Sequence, residues 1–234
     1  MNPAKRIINK CCHIFYINIA RCFKTKGKVL MLHWVGDDDQ GEEMEPFRIT
    51  TQQCIKLLQW IKTKNVVRLE NFVGEKDFYA LTIDDVPENF YKNAYPLIKE
   101  TEIPFTLFVN VSLLNKSGYI TTAQLKEMSE CPFCTVGSHG VSHTFFAEMK
   151  EDEALADLEK SKSQLESLIG KKVELYAFPY GSYYACGFKN KHLVAKVYKY
   201  GFGTVACPIT NPMLLSKYFL PRINVSEKFL RKLK

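Results

Sequence analysis

The sequence predicts an α/β fold of parallel strands covered by helices, a barrel with its chemistry gathered at one mouth. Three observations carry that expectation. Short β-branched and aromatic runs alternate with helical stretches about seven times, with no repeat, linker or low-complexity tract between them. His33, the pair Asp84-Asp85, His139 and Tyr180 each fall where a predicted strand ends, and parallel barrels keep functional groups beyond the carboxyl ends of their strands. At 234 residues and 46% hydrophobic content, the chain suffices for one domain with a full core.

Residues 1–27 are read as a basic amphipathic arm, ahead of a catalytic domain at 28–234. Lys5, Arg6, Lys10, Arg21, Lys24, Lys26 and Lys28 meet no acid in residues 1–28. The remainder holds 25 basic and 25 acidic residues, so the net charge of +7 belongs to the arm. A nucleic-acid binder more often spreads basic charge over a folded face, which argues against a nucleic-acid partner. Ile8, Cys12, Phe15, Ile19 and Cys22 recur at roughly helical spacing. Two readings stand for the arm: an interfacial helix drawn to anionic lipid, or a helix packed on the barrel exterior. The apolar run at 11–20 is short, broken by polar groups and followed by no small-residue cleavage site, so no cleaved signal peptide is expected. Nothing approaches the apolar length that spans a bilayer. The expected location is cytoplasmic, with peripheral contact at the inner face of the membrane through residues 1–27.

The eight cysteines form no compact framework, and reduced thiols are expected. Cys131-Pro132-Phe133-Cys134 reads as a turn entering a strand, since no second CxxC completes a set of four thiolates.

Taken in order, residues 28–35 form a strand with His33 near its end. Asp37, Asp38, Asp39, Glu42, Glu43 and Glu45 read as a solvated loop. Residues 50–64 read as a helix opened by Thr50, with Cys54, Ile55, Leu58 and Ile61 on one side. Residues 79–86 are a buried strand that closes on Asp84 and Asp85 before Pro87. Neighbouring strand residues point to opposite faces, so the two acids do different work unless the strand end bends. Residues 89–101 look helical, bent or shortened by Pro96. Residues 104–111 form another buried strand. Thr121 and Gln124 make a capping box for a helix reaching about Glu130. Residues 135–139 form a strand ending at His139. Glu151, Asp152 and Glu153 suit the positive end of a long helix that Gly170 stops. A strand at 173–178 runs into Pro179-Tyr180-Gly181-Ser182. A helix at 189–200, a strand at 202–206 and a last strand at 218–223 complete the chain.

His139 and His143 leave one face if their segment begins a helical turn, and can then share a cation. At that spacing they can equally be satisfied surface or core groups. With a strand-end carboxylate they make an Asp plus two His with an open position, suited to catalytic zinc first and also to Fe, Co or Ni. Such a cation lowers the pKa of a water and polarises a carbonyl. A second carboxylate can take the water's proton, and N–H groups at the 178–181 turn can receive an oxyanion.

With those residues assembled, the sequence resembles the polysaccharide deacetylase family, also called the NodB-homology or carbohydrate esterase family 4 domain, over roughly residues 28–226. Thr82-Ile83-Asp84-Asp85-Val86 stands where the family has T-F-D-D-G. His139-Gly140-Val141-Ser142-His143 matches H-[ST]-x-x-H, and Ala177-Phe178-Pro179-Tyr180-Gly181 matches R-x-P-[YF]-G. The resemblance implies a distorted (β/α)7 barrel of the NodB-homology type and a metal-dependent hydrolase. Its implied substrate is an acetylated carbohydrate, with acetyl groups removed from N-acetylated sugars of a polysaccharide or its precursor. It also implies Asp84 as general base, Asp85, His139 and His143 as ligands of a divalent metal, and the Tyr180 amide as an oxyanion donor.

Several positions depart from the pattern. The late L-x-H motif of the catalytic acid has no convincing copy, because His192 sits in a predicted helix. Leu32-His33-Trp34-Val35 instead resembles the early strand of the circularly permuted branch, which implies His33 as the acid. Ala177 stands where an Arg usually positions the base; Arg222 either reaches in to substitute for it or is a surface residue after a strand. Val86 replaces a Gly and alters the turn after the acids. Gly140 removes a hydroxyl that would steady the histidine loop. Trp34, Tyr180, Tyr183 and Tyr184 stand near the expected mouth, either to stack on sugar rings or as barrel packing. Two other readings stay open. One is a catalytically impaired module binding glycan or an assembly partner, motivated by Ala177 and the arm. The other is an amidohydrolase of a small non-sugar amide.

Overall fold

The sheet begins with β1 (Thr25–Leu32), whose last six residues pair in parallel with β5. The computed structural model describes residues 3–37, 47–186 and 191–233. Ahead of β1 lies helix α1 (Pro3–Cys22); after it come β2 (Trp34–Val35), β3 (Arg48–Ile49), α2 (Thr51–Ile61), β4 (Asn65–Val66) and β5 (Phe78–Asp84). Then follow α3 (Glu88–Asn93), α4 (Tyr95–Thr101), β6 (Phe105–Val109), α5 (Thr122–Glu130), β7 (Cys134–Ser138), α6 (Glu151–Ile169) and β8 (Leu175–Ala177). The chain finishes with α7 (Tyr183–Cys186), α8 (Val194–Val197), β9 (Tyr200–Phe202), β10 (Ile209–Thr210), β11 (Ile223–Asn224) and α9 (Glu227–Leu230). The expected acidic loop, apart from Asp37, lies outside the described residues, as does the start of the helix expected at 189.

Strands β1, β5, β6, β7, β8 and β9 are neighbours in that order, all parallel. Their helices cover the outside, so the central strands are buried on both faces: every residue of β6 is buried, and all but one of β5. The gap between β9 and β1 is crossed by residues 217–225. On one side Gly201 N–H donates to Lys217 O, Leu220 N–H to Gly201 O and Gly203 N–H to Leu220 O, at 2.9, 2.8 and 2.8 Å. On the other, β11 pairs in parallel with β1, and Val225 N–H donates to Met31 O at 2.9 Å. The result is a distorted barrel of the expected class, with a short antiparallel departure where β10 meets the start of β1.

Local sequence signals set several boundaries. Thr50 with Gln53 and Thr121 with Gln124 form reciprocal capping boxes that open α2 and α5. Gly170 ends α6 in the left-handed conformation at φ 67. Pro96 does not bend one helix; it sits in the first turn of α4, where no N–H is needed, and the break falls at Ala94. Cys134 N–H closes a turn on Cys131 O at 3.0 Å as β7 begins.

Other expectations are corrected. The expected helix at 189–200 is reduced to a 3-10 turn at Lys191–Leu193 and α8. It stops because the Tyr198 side chain turns into the core, where its hydroxyl bonds to Leu158 O at 3.0 Å. The next strand is Tyr200–Phe202 rather than 202–206, since Gly203 and Thr204 already bond out of line, to Leu220 and Gly181. The last strand shrinks to the Phe202–Leu220 bridge and β11. Helix α1 rests on the barrel exterior through Tyr16, Ile17 and Ala20, whereas Phe15 and Cys22, read as part of its apolar face, are exposed.

Candidate active site

The carboxyl ends of β1, β5, β7 and β8 open on a cavity of about 370 Å³ lined by Met31, His33, Phe47, Asp84, Asp85, His139, His143, Phe178, Tyr180, Thr204 and Asn224. Asp84 is the last residue of β5. Asp85 and Val86 then take the left-handed conformation at φ 58 and 48, and Val86 N–H turns back to Asp84 O at 2.6 Å. The strand's alternation ends there, so both carboxylates line one cavity. A β-branched residue in that conformation is strained, and Val86 is held there by complete burial and by Ile120 N–H donating to its carbonyl.

Arg222 lies inside the barrel, completely buried, and is not a surface residue. The closing segment carries it there, and its guanidinium meets Asp84 as a fork: Nη1 donates to Oδ1 at 2.6 Å and Nη2 to Oδ2 at 2.7 Å. Nε donates to Gly203 O at 3.0 Å, and the guanidinium lies 5.0 Å from the centre of the Phe108 ring. Burial alone would push the Asp84 carboxyl up; Arg222, with His139 and His33, overcomes this and holds it at about 2. The cation that meets Asp84 thus comes from the far end of the chain and not from position 177.

His139, His143 and Asp85 converge. Nε2 of His143 lies 3.5 Å and Nε2 of His139 lies 3.8 Å from Asp85 Oδ1, and the three donor atoms lie within 4.8 Å of one another. Those separations fit one ion held at about 2.0–2.2 Å by two imidazoles and a carboxylate. The donor chemistry fits as well. Asp85 Oδ1 is enclosed with no hydrogen-bond partner among the described residues. His139 Nδ1 sits 2.8 Å from Ala177 O, which makes Nδ1 the protonated nitrogen and leaves Nε2 free to ligate. Burial lowers both histidines below their ordinary value, keeping them neutral. Burial also pushes Asp85 up to about 6, with His139 opposing and Asp84 reinforcing the rise.

The histidines do not converge through a helical turn. Residues 139–143 are an irregular loop with Gly140 at φ 78 and His143 at φ 47. Asp157 on α6 clamps it, accepting from Val141 N–H at 3.1 Å and from Ser142 Oγ at 3.2 Å. Asn110, at the end of β6, donates to His139 O at 3.2 Å. A Cβ at residue 140 would stand 3.0 Å from Asp157 Oδ2. A side chain at 140 would therefore crowd the carboxylate that holds the loop. Asn110 was legible as another polar strand end; Asp157, in mid-helix, gave no local signal.

His33 follows β1 and faces the cavity, its ring 4.9 Å from that of Phe47. Its enclosed Nδ1 has no partner among the described residues, and burial lowers its pKa to about 4. The Tyr180 N–H likewise has no partner among the described residues. The Tyr180 ring is exposed, stacked on Phe145 at 4.3 Å and set 4.7 Å from His143. Trp34 packs edge-on to Tyr119 at 6.1 Å. Tyr183 is turned away from the mouth, against Tyr16 and Phe219.

Comparison with known proteins bears on the family and the fold. The family model described as polysaccharide deacetylase matches residues 73–202. A poly-β-1,6-N-acetyl-D-glucosamine N-deacetylase of Staphylococcus aureus is 26% identical over 210 residues, spanning 80% of this chain and 71% of the relative. The Staphylococcus epidermidis protein of the same name is 24% identical over 211 residues, with 80% and 71% covered. The fold is shared with the Streptococcus pyogenes deacetylase PplD in complex with acetate, at TM-score 0.74 and 22% identity over 90% of this chain and 98% of that one. It is shared too with IcaB from Ammonifex degensii, at TM-score 0.76 and 20% identity over 90% and 96%.

Proposed function

The chain belongs to the polysaccharide deacetylase family, and from that premise we propose that it hydrolyses the acetamide of N-acetylated sugars in a glycan of the poly-N-acetylglucosamine type, with a divalent cation, zinc first, at Asp85, His139 and His143. The observation that carries this reading is the shared approach of those three donor atoms beside a second, ion-paired carboxylate. When bound, the cation supplies Lewis acidity to a water and to the acetyl carbonyl.

The chain's own groups then divide the work. Asp84 is the base that receives the water's proton as the oxygen adds to the carbonyl carbon. Held near 2, it is a weak base in the resting site, and the Arg222 fork fixes its orientation at the expense of basicity. The Tyr180 N–H is an unspent donor for the oxyanion. His33 enters as a neutral imidazole. As negative charge gathers beside it, its protonated form gains a partner; His33 takes up the proton carried on Asp84 and hands it to the departing nitrogen. The C–N bond breaks, leaving acetate and a free amine; the proton taken from water ends on that amine. The exposed Tyr180 ring beside the cavity gives a sugar a face to stack on.

Acetate release from N-acetylglucosamine oligomers tests the reading. Turnover is expected with zinc, lost on chelation and lost in Asp84→Asn. A zinc-loaded protein that frees acetate from no acetylated glycan contradicts it, and glycan affinity indifferent to chelator and to Asp84→Asn would favour a binding module instead.

A further inference from the structure

Helix α1 has two faces. At about 100° per residue, Tyr16, Ile17 and Ala20 fall on one arc, and Ile7, Cys11, Ile14, Phe15 and Cys22 on the opposite one. The first arc docks on the domain: Tyr16 Oη donates to Phe219 O at 2.9 Å, and its ring packs on Tyr183 at 5.9 Å. The second arc is open to solvent, with Ile7 64%, Ile14 49% and Phe15 66% exposed and Phe23 beyond it 48% exposed; exposed Asn18 is the polar residue within it. Lys10 and Arg21 border this arc, both exposed. Seven basic and no acidic residues occupy positions 1–28, while the rest of the chain is balanced. No helix of the described residues is long and apolar enough to cross a membrane.

We propose that this outer face of α1 seats the domain on an anionic bilayer, lying in the interface rather than crossing it. An apolar strip flanked only by positive charge is complementary to acyl chains beneath anionic headgroups. A protein partner would need a matching apolar groove rimmed by acids. The docked face matters as much as the free one. Tyr16 holds α1 against α7, which begins three residues after Tyr180 at the cavity. The anchor is therefore tied through α7 to the segment that carries Tyr180, and a domain seated through it works on acetylated saccharide held at the membrane surface, for example on a lipid carrier. This last clause rests on the deacetylase reading; the seating itself does not.

Flotation of the full chain with vesicles tests the seating. Co-flotation is expected with phosphatidylglycerol-containing vesicles at low salt, weakening as salt screens the headgroups. Ile14→Asp/Phe15→Asp should abolish it, and Lys10→Glu/Arg21→Glu should reduce it about 10-fold or more. These exposed positions lie outside the catalytic site, so the variants should keep the melting temperature and the turnover of soluble oligomer. No flotation with anionic vesicles, flotation unchanged in Ile14→Asp/Phe15→Asp, or a dimer in solution that the same pair of substitutions dissolves overturns the seating. An N-acetylglucosamine oligomer tethered to lipid should be deacetylated faster than the soluble oligomer by wild type, and no faster by Ile14→Asp/Phe15→Asp. Equal rates in wild type refute the surface substrate, whereas failure on both oligomers counts against the deacetylase reading and leaves the flotation result standing.

Discussion

Replacing Arg222 by Met asks how Asp84 stays ionised inside the barrel. The change removes the bonds of 2.6 and 2.7 Å to Asp84 and of 3.0 Å to Gly203 O, while keeping an apolar side chain in the space. Asp84 is 2% exposed, so its charge is left buried and short of its cation; removing one partner of such a pair costs about 3–5 kcal/mol. The proton equilibrium points to a similar size. Burial pushes Asp84 up, Arg222 and His139 more than reverse it, and the result is about 2 against an ordinary 3.8; a shift of that size is worth on the order of 2.5 kcal/mol. For a chain of this length either figure predicts a fall in Tm of roughly 10 °C, read by calorimetry on metal-free protein. A depressed carboxylate stabilises above its ordinary pKa and loses that contribution as pH falls through about 2. The deficit of Arg222→Met is therefore largest at neutral pH and shrinks on acidification. Adding Asp84→Leu to Arg222→Met should cost less than the two single changes summed. A Tm within about 2 °C of wild type, or a deficit unchanged across that pH range, would refute the buried pair.

Four further outcomes are expected. Asp157→Ala should weaken zinc binding about 10–100-fold in competition with a chromogenic chelator, with a smaller loss in Asp157→Asn; equal affinity in all three would mean the clamp does not position the histidines. Val86→Gly should stay within about 1.5 kcal/mol of wild type in urea unfolding, because relief of about 1–2 kcal/mol of backbone strain offsets much of the lost burial. Tyr180→Ala should raise KM for oligomers and leave kcat nearly unchanged, since the ring is exposed and the backbone N–H persists. Zinc at a hundred times its Kd should stabilise the metal-free protein by about 2.7 kcal/mol, and a Tm indifferent to zinc speaks against the site.

Contacts within a few residues were legible in the sequence. Thr50 with Gln53, Thr121 with Gln124, and Gly170 act on the turns they belong to. The placement of Asp84 and His139 at strand ends needed only the period of the pattern. Tyr183 is the counterexample: it stands three residues from Tyr180, yet α1 draws it away from the mouth.

Burial period, capping and strand-end chemistry are local properties, so the parallel barrel and an aspartate pair, a histidine pair and an N–H turn at one end of it could be read along the chain. How those parts meet depends on contacts between distant segments. Asp85 is bent toward Asp84's side where its N–H donates to Phe108 O of β6 and Ile120 N–H donates to Val86 O. The histidines are drawn together by Asp157, fourteen positions beyond His143. Arg222 reaches Asp84 across 138 residues because the segment carrying it closes the gap between β9 and β1. Whether that arginine faced water or the base depended on which strand edges were left to close, and that is settled only once the whole sheet has curled.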